Sequence, residues 1–311
     1  MQTRGNKPDL ACQDTLVVRD PPAARSGANN CRLNSAYAHQ LDTLEVHLNR
    51  DEFSEVVDYI NTILCCSPNL AVLILDIDRP PQALQRRAFA GVHLEGLWAI
   101  SVDALFGATL LDFMRRHQAS LRYLRFLHER GTRAQIDRLS VGRLPILQLT
   151  EISGSASYVA SALKHCAHPE LYLKLCSETS AKALAMYQPI FQQHYVTSLL
   201  ISLRPRDFGV VRDLATYFPH LQFLKIVERH RTNAHVWTNV AAWSSALREH
   251  TALARLALNV PHGVAPDDLP IATWFPADRV QMRSVELTEA NDIYVRAWRR
   301  DHGTGAWVIV P

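Results

Sequence analysis

Asp76-x-Asp78 places two carboxylates two residues apart, a spacing at which hard oxygen ligands can share a divalent cation. A metal held there would serve a metal-dependent transferase reaction. The pair closes the apolar run from Leu73 to Ile77, however, where alternation turns both carboxylates away from the leucine face, and Pro80-Pro81 follows. No glycine-rich phosphate loop accompanies it, so a solvated strand end is the simpler reading. His165, Cys166, His168 and Cys176 supply the nitrogen and sulfur donors of a tetrahedral zinc site. Their His-x-x-His spacing is shorter than the usual gap between ligand pairs, and both cysteines fall at element ends where small side chains pack. There is no Gly-x-Ser-x-Gly elbow, and Gly154-Ser155-Ala156-Ser157 reads as a helix-capping segment. No catalytic residue, metal or cofactor is assigned on this basis.

Two basic clusters, Arg229-His230-Arg231 and Arg296, Trp298, Arg299, Arg300, have the cations and the ring needed to neutralise phosphates and stack a base. A solvated loop for the first and a terminal strand for the second outweigh nucleic-acid binding.

The elements that must position these groups are announced by a recurring leucine spacing. It occurs as Leu41-x-x-Leu44-x-Val46, Leu70-x-x-Leu73-x-Leu75, Leu121-x-x-Leu124-x-Phe126, Val196-x-x-Leu199-x-Ile201, Leu221-x-x-Leu224-x-Ile226 and Leu253-x-x-Leu256-x-Leu258. Weaker copies are Leu94-x-x-Leu97-x-Ala99, Leu144-x-x-Leu147-x-Leu149 and Met282-x-x-Val285-x-Leu287, while Leu171-x-Leu173-x-Leu175 has lost one residue. About ten strands at a mean interval of roughly 27 residues fall within the range of a leucine-rich repeat.

Between the strands, Phe53, Val56, Val57, Ile60, Ile63 and Leu64 follow helical spacing, as do Phe208, Val211, Leu214, Ala215 and Phe218. Further helices are expected over 102–117, 155–166, 181–193 with a break at Pro189, and 239–250. Helices need about 8 to 10 Å between axes and strands about 4.8 Å. The predicted fold is therefore an α/β leucine-rich-repeat solenoid, with a curved parallel sheet inside and helices outside. The domain reading is a tail or the remnant of an upstream module over 1–38, then a solenoid over 39–311 ending in a β-hairpin cap at about 291–311.

If the leucines point inward, the alternating residues form the concave face. Candidate binding residues there are Glu45, His47, Asp76, Arg125, Gln148, Tyr172, Lys174, Ser202, Lys225, Asn259 and Glu286. A face of this size suits a peptide or folded domain, which makes a protein the expected partner.

Net charge is +3 with histidine neutral, which demands no polyanion. No apolar run approaches the length of a membrane span, and residues 1–30 hold no hydrophobic signal segment. Six cysteines without a paired framework point to the cytoplasm or nucleus.

The succession of helix, Pro-x-Leu-x-x-Leu-x-Leu and helix, with the aromatic C-terminal stretches Trp274-Phe275-Pro276 and Trp298 to Trp307, resembles the divergent leucine-rich-repeat regions of fungal F-box proteins, mushroom-type above all. The resemblance covers Leu41 to Pro311. It implies a substrate-recognition arc, and in that family a separate N-terminal F-box docks the adaptor of a ubiquitin ligase. Residues 1–40 lack the opening Leu-Pro and apolar helix of an F-box. The adaptor is thus a partner only if an F-box is supplied elsewhere.

Overall fold

The computed structural model describes residues 14–77, 82–102, 107–127, 148–164, 166, 170–178, 181–203, 208–228, 235, 237–260, 271–275, 281–289, 293–301 and 303–310. The chain forms two compact units, residues 1–149 and 150–311. Both are α/β, with strands that run mostly parallel.

The first unit contains β1 (Asp14–Val18), α1 (Pro21–Leu33), α2 (Ser35–Gln40), β2 (Leu41–Leu48), α3 (Arg50–Cys66), β3 (Val72–Ile77), α4 (Gln82–Ala88), β4 (Ala99–Val102), α5 (Gly107–Arg116) and β5 (Tyr123–Phe126). Its strands pair in chain order, all parallel. Parallel neighbours require a crossover, and the helices between them supply it. Helix α1 packs on α3, α3 on α4, and α4 on α5.

Residues 14–38, within the stretch expected as a tail or the remnant of an upstream module, form β1, α1 and part of α2. Asp20 accepts a hydrogen bond from the Ala23 N–H at 2.8 Å, and Pro21 occupies the first turn, so the start of α1 is well specified. Gly27 lies where α1 meets β1, and a Cβ there would come within 2.7 Å of Leu16 Cδ2. Alanine spacing hid this helix: Ala24, Ala28 and Cys31 are buried, but they are too small to register as an apolar stripe.

The second unit contains β6 (Glu151–Gly154), α6 (Ala156–Leu163), β7 (Leu171–Glu178), α7 (Ala181–Phe191), β8 (Val196–Leu203), α8 (Phe208–Tyr217), β9 (Phe223–Glu228), α9 (Val240–Arg248), β10 (Arg255–Val260), α10 (Ile271–Trp274), β11 (Ser284–Glu289), β12 (Ile293–Arg300) and β13 (Trp307–Val310). Strands β6 to β11 are parallel in chain order, and β12 and β13 form an antiparallel hairpin beside β11. Asp301 closes that hairpin by accepting from the Gly303 and Thr304 N–H groups. Helix α7 runs through Pro189 without the expected break. Ser155 stands at the N-cap of α6, but its hydroxyl meets that of Ser157 at 3.0 Å instead of capping the backbone.

The leucine anchors make up the core. Leu44, Leu73, Leu124, Leu173, Leu199, Leu224 and Leu256 are at most 1 % exposed. Two anchors sit in a different register from the expected one. Leu73 and Leu75 face Ile100 and Val102, so the strand at β4 follows Leu97-x-x-Ile100-x-Val102. Leu173 and Leu175 face Ile152 and Gly154, so the strand at β6 follows Leu149-x-x-Ile152-x-Gly154, while Leu144 and Leu147 of the expected copy lie outside the described residues. The residue missing from the β7 pattern is absorbed by a register shift against β8, between Leu171 and Tyr172.

Candidate functional site

Strand alternation gives each unit a second sheet face, opposite the anchors. Burial alternates residue by residue along β3 and β9, so the side chains between the anchors keep part of their surface in water. This face holds most of the candidate residues.

In the first unit, Glu45, Ile74, Ser101 and Arg125 form one cross-strand row, and His47 lies opposite Asp76 in the next. The His47 imidazole bridges two carboxylates, with Nδ1 at 3.3 Å from Asp76 Oδ2 and Nε2 at 3.3 Å from Glu45 Oε2. All three side chains remain about a third exposed. Arg125 is exposed in the same row as Glu45. Asp78 lies outside the described residues. Among the described residues, no group of three or more histidine, cysteine or acidic side chains is arranged to hold a metal ion.

In the second unit one row runs Glu151, Tyr172, Ser198, Phe223, Arg255, Ser284, Arg299. The next runs Ser153, Lys174, Leu200, Lys225, Ala257, Glu286, Ala297. Lys174 Nζ is 3.8 Å from Glu151 Oε1. The Arg255 guanidinium lies 4.7 Å from the Phe223 ring centroid, a cation–π contact on an open surface.

Three candidate residues depart from expectation. Ser202 and Asn259 have the right parity but are buried, at 1 % and 7 % exposed. Asn259 Nδ2 donates to Thr288 Oγ1 at 3.0 Å and to the Glu289 carbonyl at 2.8 Å, so it ties β10 to β11. Gln148 is exposed but precedes β6 and belongs to no strand, because the anchors there are displaced.

Alternation also divides the second basic cluster. Trp298 sits opposite Val285 on the anchor side and is 6 % exposed. Arg300 is likewise buried, with Nε donating to the Gly305 carbonyl at 3.0 Å. Of the four residues only Arg299 is exposed and Arg296 is half-buried, so the cluster presents no open ring on which a base could stack. Arg229, His230 and Arg231 lie outside the described residues, as do His165 and His168. Cys166 is buried, and Cys176 Sγ lies 3.1 Å from Ser153 Oγ.

Sequence reasoning missed Glu151, Phe223 and Arg255, and gave Arg299 only as a member of the basic C-terminal cluster. The period-two rule that selected Lys225 and Asn259 reaches Phe223 and Arg255 when carried further back along β9 and β10, whereas Glu151 is out of phase with Gln148, the open-face residue expected before it.

Compared with known proteins, the chain matches no protein-family model and no curated sequence. No helix among the described residues is long and apolar enough to cross a membrane.

Proposed function

We propose that the chain is a leucine-rich-repeat-type solenoid that recognises a protein partner through the sheet face opposite its leucine anchors. The observation that supports this is the alternation itself. One side of the strands is spent on the core, and along β3, β7 and β9 above all the other presents part-exposed residues of mixed chemistry in cross-strand rows. Such rows offer separated contacts to an extended or folded partner without a deep small-molecule pocket. The resemblance to F-box proteins extends the proposal to a substrate-receptor role in a ubiquitin ligase, with the F-box supplied by another segment or chain, and to a cytoplasmic or nuclear setting.

The test is affinity capture of partners followed by mass spectrometry, with Arg125→Glu and Lys225→Glu combined in one variant. Both side chains stand on the open face of their units and away from the core. Specific partners should be lost while far-UV circular dichroism and Tm stay unchanged. Retention of every partner by the variant would move recognition off this face.

A further inference from the structure

The open face of the second unit is chemically lopsided. Its two central rows carry Lys174, Lys225, Arg255 and Arg299 against Glu151 and Glu286. The two carboxylates lie towards the margins. Glu151 is on the first strand of the unit and already faces Lys174, whereas Glu286 is on β11. Between them the charged members of these two rows on β7 to β10 are all cations, with Tyr172, Leu200 and Phe223 interleaved as part-exposed apolar surface. Arg255 is exposed, and its one contact of charge character is the Phe223 ring; no carboxylate among the described residues pairs with it.

We infer that this face, taken as the protein-recognition surface proposed above, binds an extended acidic peptide segment bearing at least one apolar or aromatic side chain. Charge complementarity selects the acid. Lys174 and Lys225 stand two strands apart in one row, and so do Arg255 and Arg299 in the other, a separation of about 10 Å at ~4.8 Å per strand. A peptide in the extended polyproline II conformation rises about 3.1 Å per residue and repeats every three residues, so carboxylates three residues apart project from one side of a segment crossing the strands and reach successive cations. Tyr172, Leu200 and Phe223 offer the apolar platform on which an intervening side chain settles. A nucleic acid fits less well. Its phosphates repeat without a break and are met by many cations, whereas Glu151 and Glu286 interrupt this surface and its aromatic rings are only partly open.

The experiment measures binding of the full chain to arrayed peptides of about twelve residues, on the order of 40 Å extended. One set has Asp or Glu at every third position around a central Phe or Leu. In matched sets Gln or Lys replaces the acids, and an oligouridine RNA is included. The acidic set should bind best and weaken as salt shortens the screening length. Combining Lys225→Glu with Arg255→Glu should lower affinity by about tenfold or more. Lys182→Glu, an exposed reversal on α7, should leave it unchanged. Preference for the Gln or Lys set, with binding still lost in Tyr172→Ala, would overturn the acidic assignment and leave protein recognition standing. Binding of acidic peptides that neither the double reversal nor Tyr172→Ala changes would overturn both. Oligouridine bound more tightly than any peptide, with the same dependence on Lys225 and Arg255, would replace the peptide with a nucleic acid.

Discussion

Leu224 is fully buried between Leu199 and Leu256 in the anchor row of the second unit. Truncation there removes packed methyl groups and leaves a cavity that neighbouring strands cannot close, so Leu224→Ala should cost about 2 to 5 kcal/mol. Urea denaturation would measure it, and a near-neutral result would contradict the register. His117 makes a different kind of demand. It is 2 % exposed, its Nε2 accepts the Leu94 N–H at 3.0 Å, and its Nδ1 donates to the Phe113 carbonyl at 2.8 Å. Burial, aided by the charges of Arg116 and His93, holds the imidazole below its ordinary pKa despite the bond to Phe113. The unfolded chain therefore binds the proton more readily than the folded one. The stability His117 contributes is fully present above the unfolded pKa of about 6.5 and is lost as pH falls through the depressed folded value. Tm should drop on acidification from neutral pH, and His117→Gln should flatten part of that drop while lowering Tm at pH 7. An identical pH profile in the variant would show that another group carries the effect.

At the scale of elements, long apolar periodicities were legible and short or small-residue ones were not. Helix α3 was readable because Phe53, Val56, Val57, Ile60, Ile63 and Leu64 form a full stripe, and all six are buried. Its start is equally explicit. Asn49 Oδ1 accepts from the Asp51 and Glu52 N–H groups at 3.0 Å, and Glu52 returns a bond to the Asn49 N–H at 2.9 Å. Asn49→Ala removes this reciprocal cap and should cost about 1 kcal/mol, seen as a lower urea midpoint with an unchanged m-value. Strand β1 escaped notice because Leu16-x-Val18 lacks a first anchor. The register at β4 was misread because Leu94, Leu97 and Ile100 recur every three residues, so two overlapping versions of the motif fit and only pairing with β3 distinguishes them. The candidate site followed the same logic. Parity placed Glu45, His47, Asp76, Arg125, Tyr172, Lys174, Lys225 and Glu286 on the open faces. It could not reveal that Ser202 and Asn259 are short side chains hidden between neighbouring strands.

For the molecule as a whole, a ubiquitin-ligase role would have to link the proposed recognition surface to an adaptor. Docking on a ubiquitin-ligase adaptor requires a helical surface with exposed apolar side chains, and the N-terminal helices are where the F-box resemblance would place it. In α1 the inward residues Ala24, Gly27, Ala28 and Cys31 are consumed by packing, and the helix lies against α3 and β1. Its outward positions are largely polar: Arg25, Ser26, Asn29, Asn30 and Arg32 are exposed, and Leu33 is the one large apolar side chain that α1 leaves mostly open. One exposed leucine covers too little apolar area to hold a partner, since about micromolar affinity requires roughly 8 kcal/mol net. Purified residues 1–311 should therefore show no adaptor binding at micromolar concentrations in calorimetry, and a fusion that places an F-box ahead of Asp14 should restore it. Tight binding by the unfused chain, abolished by Leu33→Asp, would instead make α1 the docking element and give this chain the adaptor contact directly.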